Sequence, residues 1–597
     1  MEENTSRLMH AARFSFFGLG FILFGWFAYF LAIIDSFSTR FIAIFGVLIL
    51  LGIAASARRW LAQEPAGVRI LFAASILLSA SLMYFAEPTI FSGRDQGSIS
   101  EAAFELSQNG KLAFSNGASD VLVAAYGPGQ ALNFPGFFYE EEGSLTTQFP
   151  LGYTSWLGAF TALFGIDGFR VGNGILLSLS LLSLYFLVCI FAGARYGAIA
   201  FALSAASFVP LWFAKFTLTE NYALFLFLFA ALNAVLFLRE NRASFFLGAF
   251  LSSLLLAVTR IEGLWTLAIV LVLLFASKSG RDFARVQPLI FRTIPLLFAG
   301  AVLAINFAAS IPFHTVIAKA FLKNFSSVTV ADTASLGDSA GIFLALWHLF
   351  LPYGLLVLFL SGFAGIAWLA ATKRWEALIP ALLALPMFIY FVDPNITHDH
   401  PWMLRRFLPV LWPTLLFSSV VATAFLLSEK GAKVAEFPKA GVKRVLVLAF
   451  FSVLLILELP ATVRTFTFAE NRGLLGSTAE LASLIGENDL LLIDRLATGD
   501  QYAIPAGPLR FLHGKQAVYF FNPADYEKID KGRFEHIYIL MPLENFEFWE
   551  SVPARFEFVE MISFSTDRLE SLPLRNAKLP GREHVQHDAV LFELKPL

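Results

Sequence analysis

Cysteine is almost missing. Cys189 is the single one in 597 residues, which excludes a disulfide framework, a multi-cysteine metal site and an iron–sulfur cluster. Charge is scarce as well: Asp, Glu, Lys and Arg make up 15% of the chain, against about 25% in a soluble domain. The charges nearly cancel to a formal −2, leaving no basic field for nucleic acid. No G-x-x-x-x-G-K phosphate loop occurs, and no repeat of the transporter kind is evident. What is abundant is apolar: 57% hydrophobic residues, 67 Phe and a mean hydropathy of +0.68. Such a chain cannot cover its surface with polar groups, so a soluble globular enzyme and a disordered chain are both excluded. The composition predicts a polytopic α-helical membrane protein.

Apolar runs long enough for about 30 Å of hydrocarbon begin with Phe14 to Ile34, Phe41 to Ser56 and Val68 to Ala86. A polar stretch, Glu87 to Pro150, has no span of its own. Runs resume near 170–192, 197–213, 220–238, 245–258, 261–276, 289–310, 353–371, 377–392, 405–427 and 443–460, about thirteen transmembrane helices in all. By alternation the basic connections (Arg7 and Arg13; Arg58, Arg59 and Arg69; Arg195; Arg239 and Arg242; Lys278 to Arg285; Lys373 and Arg374; Lys430 to Arg444) fall on one face, which the positive-inside rule makes cytoplasmic. Cys189 is expected in the cytoplasmic half of its helix. Beyond about Ala461 the pattern changes: Asp489-LLLIDR, Glu535-HIYILMP, Phe556-EFVEMIS and His587-DAVLFELK predict buried strands of a small α/β extracytoplasmic domain. The expected divisions are 1–86, N-terminal helices; 87–150, first external loop; 151–460, transmembrane core; and 461–597, C-terminal domain.

Polar chemistry collects at the external face. Asp95 follows a helix end closely, and Ser100 to Gln108 reads as an amphipathic helix whose Ala103, Phe104 and Leu106 can lie on lipid or neighbouring helices. A carboxylate held there can take a proton from an acceptor hydroxyl; it can equally cap the helix that follows. Arg405, Arg406, Arg260 and Lys215 share this level, where guanidinium or ammonium groups can hold a phosphate or anchor the chain to headgroups. Glu220 and Glu262 can orient those cations or match a helix dipole. His398-Asp399-His400 is too small a set for a metal site without a third defined ligand. Asn395-Ile-Thr matches a glycosylation acceptor pattern.

Five segments, in order, resemble the GT-C superfamily of integral-membrane glycosyltransferases: the Asp95-led stretch, Gln148-FPLGYTSWLGAFTALFG, Phe216-TLTENYALFLFLFAALNAVLF, Ala257-VTRIEGLWTLAIVLVLL and Arg405-RFLPVLWPTLLF. The similarity covers about residues 85–430 and is closest to the bacterial branch of aminoarabinose transferases and protein O-mannosyltransferase-like enzymes. Two departures stand out. Gln96 occupies the place of a second acid in many relatives, so a paired-acid metal site is not expected. The first two helices precede the usual core as an added hairpin.

The resemblance implies an inverting transfer from a sugar on a polyprenyl phosphate to an acceptor hydroxyl on a lipid, glycan or protein. Asp95 would be the base, and Arg405, Arg406, Arg260 and Lys215 the donor-phosphate ligands. Glu220, Glu262 and Tyr153 would position the substrate. No metal or cofactor is implied, and no nucleic acid partner. The expected place is a cell membrane, the inner membrane of a bacterium, with the N-terminus cytoplasmic and the C-terminal domain extracytoplasmic. The rival is a secondary transporter or lipid flippase, whose mark would be ionisable groups buried mid-span. A sensor whose external domain binds ligand is a third reading.

Overall fold

The computed structural model describes residues 2–141, 143–286, 289–311, 314–315, 346–394, 396–397, 399–428 and 440–597. Among them, seven helices are long and apolar enough to cross a bilayer, or eight if Ala194–Ala206 and Phe208–Ala214, bent by 56°, form one span. Ala243–Ala257, Gly263–Ala276, Leu355–Ala371 and Leu411–Leu427 are shorter apolar helices. The span expected at 377–392 is instead a chain of short turns, Trp375–Leu378, Ile379–Leu383 and Leu385–Phe391. Pro380 and Pro386 lie in it, and each lacks the N–H that a continuous helix needs.

The ends of the bundle sort as the charge pattern predicts. At one end Arg13 bonds Glu64 at 3.2 Å, Arg239 bonds Glu376 at 2.9 Å and the Ile190 carbonyl at 3.2 Å, and Ser279 bonds the Leu238 carbonyl at 2.9 Å. These contacts join the basic connections to one another. At the other end Phe37 N–H meets the Gly110 carbonyl at 3.1 Å, and Arg170 Nε meets the Ala86 carbonyl at 2.8 Å. Most charged groups therefore gather at two levels, with largely apolar packing between them; Glu458, inside the span Val445–Phe466, is buried within that packing.

The first helix, Glu2–Ile33, packs at the centre of the bundle: Phe14 stacks on Phe186 at 4.8 Å and Phe24 meets Trp156 edge-on at 5.6 Å, so its aromatic face builds the core. Leu151–Phe164 was not expected as a separate helix. Its first turn sits on the Val258 carbonyl through Gly152 N–H (3.1 Å). Its last turn adjoins Gly168–Ala192, close to the Arg170–Ala86 contact. Both its ends lie at one end of the bundle, so it does not carry the chain across. Gly152 makes this seating possible, since a Cβ there would lie 2.3 Å from Thr259 Oγ1.

Beyond the bundle lies a layer built from two distant parts of the chain. The C-terminal part holds a five-stranded sheet in the order Gln516–Tyr519, Leu490–Ile493, Ile537–Pro542, Arg582–Lys595, Arg555–Leu569. The first three strands are parallel and the last two join antiparallel. The four predicted strands are present, but Arg555–Leu569 and Arg582–Lys595 are long, and Phe558, Val559 and Met561 of one stretch expected to be short and buried are exposed. Gln516–Tyr519 was not foreseen, being too short to show a period. The loop after the third span folds into helices Asp95–Asn109 and Gly117–Tyr126 and a small antiparallel sheet. Its Phe134 and Phe137 share a core with Leu490, Val518 and Trp549. Arg510 pairs with Glu101 at 2.8 Å, and Asn133 Nδ2 donates to the Tyr519 carbonyl at 2.7 Å.

Candidate active site

The helix Asp95–Asn109 is wedged between this layer and the bundle. Gly97 allows it: a Cβ there would lie 1.7 Å from the Phe91 carbonyl oxygen, so the chain before the helix folds back against its first turn. Ala103 and Leu106 are buried, with Ala103 backed by the Thr161 hydroxyl of the Leu151–Phe164 helix. They face protein, not lipid. Asp95 is the first helical residue and Arg94 holds the cap position, with no capping side-chain bond. The carboxylate instead accepts from Arg405 Nη2 at 2.6 Å and remains 43% exposed.

Arg405 and Arg406 stand on a 3-10 turn, Trp402–Phe407, that leads into the helix from Leu411. Arg405 Nε also lies 3.9 Å from Glu220, which sits in the first turn of Thr219–Glu240, where the positive helix end suits a carboxylate. Glu220 in turn holds Arg260 at 2.9 Å. Arg260 lies in the short junction between Ala243–Ala257 and Gly263–Ala276. Its Nε and Nη2 grip Glu262 at 3.3 and 2.7 Å, and its Nη1 donates to Thr219 Oγ1 at 2.9 Å. Tyr390 Oη closes the far side by donating to Glu262 Oε1 at 2.6 Å. Three carboxylates thus alternate with the guanidinium groups of Arg405 and Arg260, and Arg406 lies within electrostatic reach of both and of Glu220.

The expected residues separate by what remains available to a substrate. Asp95 is open and Arg405 lies beside it. Arg260 is 9% exposed and has its fork committed to Glu262, so it braces Glu220 and Glu262. Lys215 lies apart: its Nζ donates to the carbonyls of Thr465, Phe466 and Phe468 at 2.9, 2.6 and 2.7 Å, tying off the end of the helix Ala440–Phe466. An ammonium has three N–H groups, and all are taken. Tyr153 is fully buried and donates to Asn173 Oδ1 at 2.6 Å, behind the site. His400 places its two ring nitrogens against Tyr353 Oη and the Asn576 carbonyl, at 2.9 and 2.8 Å. His398 and Asn395 lie outside the described residues. Among the described residues no group of three His, Cys, Asp or Glu is placed to hold a metal ion.

Sequence reasoning missed Tyr390 and Thr219, and also Arg94, whose guanidinium is clasped between the rings of Trp402 and Tyr502 at 4.1 and 4.2 Å. Only the adjacency of Arg94 to Asp95 could have pointed to it.

Bundle and site together define a multi-pass membrane protein with an acid–guanidinium chain at one end of its helices. No family model matches the chain, and no curated protein does. Among solved structures it is similar to ArnT from Cupriavidus metallidurans in the apo state, with 11% identity, 88% of this chain and 98% of that chain covered, and a TM-score of 0.49. It is also similar to ArnT from Cupriavidus metallidurans bound to undecaprenyl phosphate, with 12% identity, 89% and 98% covered, and a TM-score of 0.44.

Proposed function

We propose that this chain is a GT-C type glycosyltransferase that moves a sugar from a polyprenyl phosphate to an acceptor hydroxyl at the extracytoplasmic face of a bacterial inner membrane. The observation that carries the reading is the Asp95–Arg405 pair: an exposed carboxylate bonded at 2.6 Å to a guanidinium, with Arg406 next in the chain. A base and a phosphate ligand side by side suit a substitution at an anomeric carbon.

In that step the acceptor O–H gives its proton to Asp95 and the oxygen bonds to the anomeric carbon. The bond from that carbon to the phosphate oxygen breaks, its electron pair stays on the phosphate, and the sugar's configuration inverts. Arg405 and Arg406 hold the charge gathering on the phosphate, and Arg405 exchanges Asp95 for the donor as the donor enters. Arg260 keeps Glu220 and Glu262 in place behind them. A donor that approaches within the bilayer fits a site at a helix end, and the grouping of ionisable residues at this level supports surface chemistry over passage. The concentration of Lys and Arg in the opposite connections supports a cytoplasmic N-terminus and an external C-terminal layer.

The test is turnover of radiolabelled polyprenyl-phosphate sugars by the purified chain in lipid nanodiscs, with the anomeric configuration of the product read by NMR. Release of polyprenyl phosphate with an inverted product is expected. Retained configuration, or no turnover over a panel of hexose and pentose donors with a cell-envelope extract as acceptor, would contradict the reading.

A further inference from the structure

A cavity opens beside the first turn of the Asp95 helix. It has a volume of about 590 Å³ and lies where the C-terminal layer meets the bundle; Arg94 and Gln96, the two neighbours of Asp95, both line it. Trp402 and Tyr502 stand in its wall, locked by the Arg94 guanidinium between their rings. Trp402 begins the same 3-10 turn that carries Arg405. Cavity and proposed base therefore share two elements.

The lining has a definite chemistry. Asp500, Glu570 and Glu583 contribute carboxylates against the guanidinium groups of Arg94 and Arg568, and Glu470 adds a carboxyl that burial pushes up to about 7, so acids outnumber cations by at least three to two. Arg568 is already bonded to Glu583 at 2.9 Å. The other three acids are fixed by backbone N–H groups: Leu569 to Glu470 at 3.3 Å, Tyr502 to Asp500 at 2.9 Å and Gly581 to Glu570 at 3.1 Å. A wall of positioned acceptors with excess negative charge welcomes hydroxyl donors and repels anions. Gln96 supplies an independent pointer. The residue is 3% exposed, and its buried Oε1 meets no hydrogen-bond donor among the described residues. A buried acceptor left so costs free energy that a ligand hydroxyl would recover.

We infer that this cavity is the acceptor site and takes a polyhydroxylated carbohydrate group without negative charge, one of whose hydroxyls donates to Gln96 Oε1. The inference rests on the transferase reading, and it narrows the acceptor. A sugar seated between the C-terminal layer and the Asp95 helix can bring a neighbouring hydroxyl to the base, while phosphorylated or uronate headgroups are turned away by the acidic wall. It also gives the C-terminal domain a task, since most of the wall belongs to that domain.

The experiment is saturation-transfer NMR on the full chain in zwitterionic nanodiscs at neutral pH, without donor. The probes are methyl glucoside, glucosamine, glucuronate and glucose 6-phosphate. The first two are expected to receive saturation, and the two anions at least about fivefold less. Gln96→Leu, with folding checked by thermal unfolding, should weaken methyl glucoside binding about tenfold or more, the scale of losing a partner in a site built to hydrogen-bond. Tyr502→Ala, on the C-terminal side of the wall where its ring stacks on Arg94, should weaken it as well and serves if Gln96→Leu does not fold. Anions binding as well as neutral probes, no probe binding, or unaltered binding in the folded variants would overturn the site. Because no turnover is required, the two proposals fail separately. Sugar binding without donor turnover sinks the transferase reading, whereas turnover without sugar binding sinks the acceptor site alone.

Discussion

One helix, Asp95–Asn109, carries two carboxylate–arginine pairs with opposite lives. Glu101 and Arg510 meet at 2.8 Å with side chains 0% and 5% exposed. The Ser92 hydroxyl donates to Glu101 at 2.6 Å, and the rings of Phe134 and Phe511 lie 4.6 and 4.5 Å from the Arg510 guanidinium. Asp95 and Arg405 meet at 2.6 Å, yet Asp95 is 43% exposed. The chemistry of the two pairs is identical, and surroundings set the difference. A sealed pair cannot change partners without leaving a charge in an apolar setting, so it serves to bolt the loop to the C-terminal layer. A pair whose carboxylate faces solvent, while its Arg405 is 13% exposed, can release that carboxylate to water as a ligand takes its place.

That contrast can be tested residue by residue. The largest effect is expected for Asp95→Asn, which keeps shape and most hydrogen bonding. Transfer in the nanodisc assay should fall by about two to four orders of magnitude with the thermal midpoint nearly unmoved. Glu101→Gln should do the reverse. Removing one partner of a buried pair costs about 3–5 kcal/mol, measured as a fall in denaturation midpoint, while each molecule that remains folded keeps its donor turnover. Lys215→Met removes three charge-assisted bonds to carbonyls and should cost about 2 kcal/mol of stability with donor affinity unchanged. A large rise in the donor Kd would instead return Lys215 to the phosphate site. The mildest change is Arg405→Lys, which keeps the charge but loses the planar fork. Turnover should drop about tenfold and more than donor binding does, because the phosphate gains charge as the bond breaks.

Much of this was legible in the sequence because hydrophobic runs and Lys/Arg bias act over whole segments. The spans Ala66–Tyr84, Gly168–Ala192 and Thr219–Glu240, the two levels of charged groups and the four longer-patterned C-terminal stretches all follow from such patterns. Placing Asp95, Arg405, Glu220, Arg260 and Glu262 at one level also followed, since each sits at the end of a run. What escaped depends on which backbone comes near. Lys215 looked like the arginines until the carbonyls of Thr465, Phe466 and Phe468 were seen to claim its three N–H groups. Tyr390 sat inside a stretch that read as a span and is exposed to Glu262 only because the prolines break it. The aromatic burial of the first helix, and the Gly152 approach that turns Leu151–Phe164 aside, are tertiary matters that no local period encodes.

The most direct measurement is turnover per folded molecule at saturating donor for Asp95→Asn and Glu101→Gln in the same nanodisc preparation, each normalised to the folded fraction. A loss of at least about a hundredfold for Asp95→Asn, beside a Glu101→Gln rate within a few-fold of the unaltered chain, is the expected result. Equal losses in the two variants, or a full rate for Asp95→Asn, would contradict the assignment of the open pair to chemistry and the sealed pair to structure.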